Sequence, residues 1–292
     1  MFDRRALLPA LAGAVLLTSA PAAVAASAGD LRRRLAALET RSGGRLGLFV
    51  LDAAKGAGFG YRADERFAMC STFKALLAAA VLARVDAGAE RLDRRLDYAA
   101  ADLLGHAPTA RARLGQGLTI VEACEAAVSL SDNTAANLLL ATLGGPAGLT
   151  AWLRRIGDRI TRLDRWELDL NTALVGDPRD TTTPAAMART LRAVALGQTL
   201  SFTSRERLVA WLVASPTGAA RLRAGLPAGW RVGDKTGTGP DETGTSNDVA
   251  VLWRPDGSPA VVAAFLTRST LPGPGRDAIL AEAGRIAGEV LA

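Results

Sequence analysis

The spacing of apolar and polar positions divides the chain into three stretches. Near the beginning, Leu31, Leu35 and Leu38 recur on one face of a helix that Asp30 can cap and Gly43-Gly44 can end. Two extended runs follow, Arg45 to Asp52 and Gly58 to Arg62, and the Gly-containing turn between them makes a hairpin. From Ser71 to Gly225 nearly every signal is helical. A capping box runs from Thr119 to Glu122, Leu149, Trp152, Leu153 and Ile156 form an apolar face, and Pro184 sits in a first turn after Thr183. Beyond Pro227 strands return, Trp230 to Lys235, Asn247 to Trp253 and Ala260 to Thr267, before a last helix from about Asp277 to the end. Strands contributed by both ends around a helical middle predict an α+β fold. Its antiparallel five-stranded sheet, flanked by helices, draws on residues 29–68 and 215–292, residues 69–214 form an all-helical lobe, and the natural cleft lies between the two.

The amino terminus is set apart. Arg4 and Arg5 precede an apolar run from Ala6 to Ser19 and the small residues Ala22 to Ala28, the three-part layout of an export signal over residues 1–28. The run is too short to span a bilayer, paired Arg suits either the Sec or the twin-arginine route, and no Cys follows as a lipid anchor would need. A secreted, periplasmic protein free of the membrane after cleavage is expected. Apolar residues make up 49% of the chain, enough for a substantial core. The net charge of +6 comes mostly from scattered Arg, not from the basic and aromatic stripe of a nucleic-acid surface, so no nucleic-acid partner is expected. With His106 the only histidine and Cys70 and Cys124 the only cysteines, a catalytic zinc site is not expected, and neither is any other metal or cofactor. An oxidising compartment would permit a Cys70–Cys124 bridge, but two buried free thiols are the preferred reading.

Three polar groups interrupt this pattern. Ser71-Thr72-Phe73-Lys74 opens an apolar helix and puts a hydroxyl and an amine on one face. An amine held neutral by burial and neighbouring positive charge can take the proton that a serine alcohol must lose, although this spacing alone is common in helices. Ser131-Asp132-Asn133 lies between two helices and offers a hydroxyl and an amide, or merely a helix cap. Lys235-Thr236-Gly237 ends a strand, where the missing side chain at Gly237 lets a ligand approach the backbone.

In this order the motifs resemble those of the penicillin-recognising serine enzymes. A fourth segment, Arg162-Leu163-Asp164-Arg165-Trp166-Glu167-Leu168-Asp169-Leu170-Asn171 followed by Arg179 to Pro184, is similar to the omega loop of class A β-lactamases, here about residues 162–180. The resemblance runs from about Asp30 to the carboxyl terminus. It implies a monomeric enzyme that opens small-molecule β-lactams through an acyl-serine intermediate. Ser71 would be the nucleophile, Lys74 a base or proton relay, and Ser131 the donor to the departing lactam nitrogen. Lys235 would lower the pKa of Ser131 and attract the substrate carboxylate, and the N–H groups of Ser71 and Thr238 would form an oxyanion hole. Asn133 would bind the substrate's side-chain amide, and Glu167 and Asn171 would hold the hydrolytic water. Arg165 and Asp180 would close the loop. Thr236, Gly237 and Arg221 complete the expected substrate site, with Arg221 reaching toward Thr236 and Thr238 and His106 at the cleft rim. Whether Lys74 or Glu167 takes the Ser71 proton stays open.

Some positions depart from that pattern. Leu168 stands where Pro usually follows the catalytic Glu, Ala78 occupies the place of the usual partner of Cys124, and the turn Gly239 to Gly244 is long and acidic. A penicillin-binding carboxypeptidase or transpeptidase would share the first three motifs but not the Glu167 loop. A non-catalytic β-lactam-binding relative would not need every catalytic side chain kept.

Overall fold

A computed structural model describes residues 27–292, and the export-signal reading of residues 1–28 lies almost wholly outside them. Helix α1 (Ala28–Ser42) is capped by Ser27, whose hydroxyl accepts the Asp30 N–H at 3.2 Å. Asp30 therefore sits inside the first turn, where its charge suits the helix dipole, and the cap falls three residues earlier than its own side chain suggested. Gly43 ends the helix at φ 64°, a left-handed conformation that glycine adopts without penalty.

The expected hairpin follows as β1 (Arg45–Asp52) and β2 (Gly58–Tyr61), with Leu48 opposite Tyr61. After β3 (Phe67–Ala68) comes α2 (Phe73–Asp86), buried without interruption from Phe73 to Leu82. An unbroken apolar helix has no polar face, so it runs through the middle of the core and carries Lys74 inside with it.

Next come β4 (Arg95–Leu96), α3 (Pro108–Ala112), β5 (Leu118–Thr119), α4 (Ile120–Ser129), α5 (Asn133–Thr142) and α6 (Pro146–Arg155). The Thr119–Glu122 capping box opens α4 as expected, and Leu149, Trp152 and Leu153 of α6 are buried. Beyond the omega loop lie β6 (Thr181–Thr182), α7 (Pro184–Ala195), α8 (Phe202–Ala214) and α9 (Leu222–Gly225). Two small ladders, β3 with β6 and β4 with β5, are added to this mainly helical stretch.

The remaining strands are β7 (Arg231–Thr238), β8 (Ser246–Trp253) and β9 (Pro259–Thr267), and α10 (Gly273–Leu291) closes the chain. α10 begins four residues before Asp277, because extended Pro272 precedes it and Pro274 fits a first turn. The five-stranded antiparallel sheet has the order β2-β1-β9-β8-β7, so strands from both ends of the chain interleave. Leu48, Val50, Ala250, Leu252 and Val262 pack on one face against α1 and α10. Val249, Val251, Ala263 and Phe265 pack on the other face against the inserted helices. Strand β7 is left at the edge beside the nucleophile turn. It does not stop at Lys235 but continues to Thr238, because β8 pairs with it as far as Ser246.

Candidate active site

Ser71 lies in a single 3-10 turn, Cys70–Thr72, that feeds α2, and Cys70 before it is held at φ 44°. Amides at such a start have no intrahelical acceptor, so the Ser71 N–H is available to a ligand. One turn on, Lys74 is fully buried, and its Nζ lies 2.9 Å from Glu167 Oε1 while donating to Ser131 O at 2.9 Å and to Asn133 Oδ1. The Ser71 hydroxyl donates to the same Glu167 oxygen at 3.5 Å. The shared helical face holds, but the carboxylate, not the amine, is the hydroxyl's partner here. Burial pulls the Lys74 amine below the ordinary lysine range, and the neighbouring Glu167 opposes that shift.

Ser131, at φ 60°, turns its backbone carbonyl to Lys74 and its hydroxyl to Lys235, whose Nζ donates to Ser131 Oγ at 3.0 Å and to Thr236 O at 2.8 Å. Burial, and then the Lys74 ammonium, push the Lys235 amine down to about 7. The cap reading of this motif holds at Asp132. Asp132 caps α5 by accepting the Ala135 N–H and also holds the N–H groups of Thr109 and Ala110, which pins α3 beside the turn. The Asn133 amide is engaged within the protein, accepting from Lys74 and donating to Gly105 O at 2.7 Å, which leaves one N–H for a substrate amide.

Gly237 lines the cleft and is also required by packing. A Cβ there would lie 2.6 Å from Met69 O, so the glycine lets β7 press against the nucleophile turn. The Gly239 N–H donates across the sheet to Thr245 O at 3.2 Å. Backbone groups alternate in direction along a strand, so the Thr238 N–H points away from β8 toward the open edge, on the strand that packs against the nucleophile turn through Gly237.

The omega loop is closed as expected. Arg165 Nε lies 2.6 Å from Asp180 Oδ2, and Asp180 Oδ1 accepts the N–H groups of Asp164 and Arg165. Asn137, in α5, clamps the Glu167 backbone from both sides, accepting its N–H at 3.0 Å and donating to its carbonyl at 2.9 Å. Asn171 Nδ2 donates to Glu167 Oε2 at 2.6 Å, and Asn171 Oδ1 is buried with no partner among the described residues. The Glu167–Leu168 peptide is cis although Leu replaces Pro, and the Leu168 side chain is exposed at the cleft.

Arg221 is not a surface residue. It is buried, with Nε on Asp277 at 2.7 Å, one terminal nitrogen on Gly237 O and Asn247 O, and the other on Thr238 Oγ1 at 2.9 Å. It reaches Thr238 but not Thr236, whose hydroxyl donates to Thr217 instead at 2.8 Å. His106 stands exposed at the rim with Nε2 against Leu130 O at 2.8 Å. Ser71, His106, Ser131, Asn133, Asn171 and Arg221 line one cleft of about 500 Å³ together with the end of β7, whereas Lys74, Glu167 and Lys235 lie buried behind its surface. Sequence reasoning missed Asn137, Thr217 and Asn247. Asn137 was detectable, since it lies one helical turn after Asn133 in an apolar segment. Asn247, which donates to Ala68 O and Met69 O behind the nucleophile, shows no such local signal, and neither does Thr217.

A serine at a helix start, two buried lysines, two outward N–H groups and a Glu–Asn pair on a closed loop define a serine acyl-transfer hydrolase. The chain matches the model of the β-lactamase enzyme family over residues 30–291 and belongs to that family, as a class A serine β-lactamase. It is 50% identical to β-lactamase AST-1 of Nocardia asteroides, covering 88% of this chain and 83% of the relative. It is 47% identical to β-lactamase CTX-M-8 of Citrobacter amalonaticus, covering 93% and 92%. The solved structure of an ancestral class A β-lactamase superposes with a TM-score of 0.87 at 63% identity, over 89% of this chain and 99% of that one.

Proposed function

We propose that this β-lactamase opens the lactam ring by acylation of Ser71 and frees the enzyme with a water activated by Glu167. The carrying observation is the position of Glu167. One oxygen faces both Ser71 and Lys74, the other is held by Asn171, and the free Asn171 Oδ1 leaves an acceptor for a water proton. In acylation Ser71 Oγ attacks the lactam carbonyl, the developing oxyanion is received by the Ser71 and Thr238 N–H groups, and Ser131, steadied by Lys235, returns a proton to the nitrogen as the ring C–N bond breaks. The proton leaving Ser71 passes to the Glu167–Lys74 pair, whose two members lie within 2.9 Å of each other, and from the pair it replaces the one Ser131 gives up, which leaves Glu167 a carboxylate again. In deacylation Glu167 takes a proton from the water that attacks the ester carbonyl, the acyl C–Oγ bond breaks, and Ser71 Oγ takes that proton back from Glu167 as the acid product leaves.

Lys235 and Arg221 supply positive charge for the substrate carboxylate, and the remaining Asn133 N–H suits its side-chain amide. Two further readings accompany this one. Residues 29–68 with 215–292 and residues 69–214 serve as the two lobes of a monomer, and the Arg-led apolar segment of residues 1–28 directs export by the Sec or twin-arginine route to the periplasm.

Intact-protein mass spectrometry of Glu167→Ala after mixing with penicillin tests the mechanism. The variant should carry the added mass of the opened lactam long after wild type has cleared it. A variant turning over at near the wild-type rate would remove Glu167 from deacylation. A variant that never gains mass would show that Ser71 needs Glu167 to acylate.

A further inference from the structure

Against the omega loop, and sharing no lining residue with the Ser71 cleft, lies a second cavity of about 380 Å³, within the range of roughly 300–1,000 Å³ of small-molecule sites. Residues 173–179 form one wall, and β3 with the ends of β1 and β9 forms the other. Five arginines line it against two carboxylates, Glu65 and Asp177.

Arg45, Arg165 and Arg179 have acid partners within 2.6–2.8 Å. Arg66 and Arg268 form no ion pair among the described residues. Arg66 is steadied by Ile160 O and Thr181 Oγ1, whereas the Arg268 guanidinium makes no hydrogen bond at all among those residues. The Arg268 backbone is nevertheless held in place, at φ 58° with its N–H on Thr243 O at 2.8 Å. A free cation is thus presented from a rigid point. On the facing wall Leu174 and Val175 are 60% and 76% exposed, large apolar side chains with nothing over them.

We propose that this cavity is a binding site for an amphipathic carboxylate, with the anionic head between Arg66 and Arg268 and the apolar body against Leu174 and Val175. Two guanidiniums without acid partners supply charge-assisted hydrogen bonds, and covering the two side chains removes apolar surface from water. A bound molecule joins the tip of the loop to the end of the sheet. Resting on the role proposed for Glu167 and Asn171, which the same loop carries, occupancy changes the rate at which acyl-Ser71 is cleared.

Isothermal titration with decanoate, below its micelle concentration, tests the site apart from the catalysis. Saturable one-to-one binding is expected, weakened at least tenfold in Arg268→Glu and in Val175→Asp, and absent with acetate or neutral 1-decanol. The penicillin adduct of Glu167→Ala, whose catalytic cleft is filled, should bind decanoate as tightly as the unreacted variant. Loss of binding in that adduct would put the anion in the catalytic cleft and overturn the proposal. So would equal affinity in Arg268→Glu with its circular dichroism unchanged, or no binding by wild type. If binding behaves as expected but penicillin turnover is the same with and without saturating decanoate, the site stands and its coupling to the loop falls.

Discussion

Replacing Arg221 by Ala separates the fixed charge of the cleft from its titratable one. Lys235 is held down toward 7, so at neutral pH it is only partly an ammonium, whereas a guanidinium keeps its charge. Arg221 lies 2.9 Å from Thr238 Oγ1 and 3.0 Å from Gly237 O, at the strand edge where the substrate carboxylate is expected. One charge-assisted hydrogen bond to that carboxylate is worth roughly 1.5–3 kcal/mol, or about 10- to 150-fold in kcat/KM. The folding cost should be smaller, about 1–2 kcal/mol, because the substitution strands no partner in the dry interior. Gly237 O and Asn247 O face each other in the β7–β8 ladder, Thr238 opens on the cleft, and the Asp277 side chain is 28% exposed and can be hydrated. Steady-state hydrolysis of a chromogenic cephalosporin and of the same compound with its carboxylate esterified should show the loss for the acid and little change for the ester. Equal kcat/KM for wild type and variant on the acid would reassign Arg221 to holding α10 against β7. Equal losses on acid and ester would trace the effect to a disturbed Thr238 N–H.

Because the free-enzyme Lys235 loses its charge as pH rises through about 7, kcat/KM for carboxylate substrates should fall on an alkaline limb far below the ordinary lysine range. A bound carboxylate favours the ammonium, so the limb in kcat should lie higher, and a kcat/KM profile level from pH 6 to 9 would refute this. Cys70 and Cys124 are free and fully buried, and burial pushes the Cys70 thiol up to about 12 and the Cys124 thiol higher still. Iodoacetamide should leave the native protein unmodified and label both thiols after denaturation without reductant, and labelling that requires reductant would reveal a bridge. Burial, with Asp234 close by, raises the Asp248 carboxyl well above its usual range. Its unfolded form ionises near 3.8 while the folded form resists, so stability present below that pH is lost as pH climbs through the raised folded value. Asp248→Asn, neutral throughout, should flatten the fall in Tm between pH 5 and 8, and an unchanged slope would exclude Asp248 as its source.

Much of this protein is legible at short range. The apolar spacing of α1, the hairpin of β1 and β2, the Thr119–Glu122 box and Pro184 at the start of α7 depend on neighbours within a few residues, and each forms where local chemistry places it. Ser71 and Lys74 share a face because one helix carries both, and the four motifs in order were enough to identify the family.

What the tertiary structure alone decided lies between residues distant in the chain. Ser71 and Glu167 meet across 96 positions, and Lys235 reaches Ser131 across 104, so no periodicity reports either contact. Strand β7 outruns its local signal because β8 pairs with it, and Gly237 is required by the Met69 carbonyl pressed against it, a contact absent from its own segment. Nothing in its own segment sets Arg221 apart from the other arginines; the family resemblance alone picked it out, and the fold adds Asp277 and Asn247 to the expected Thr238. The physical reason is the same throughout. Caps and periodicity are properties of the local backbone, whereas burial, pKa and hydrogen-bond partners belong to surfaces that exist only once sheet and helices have packed.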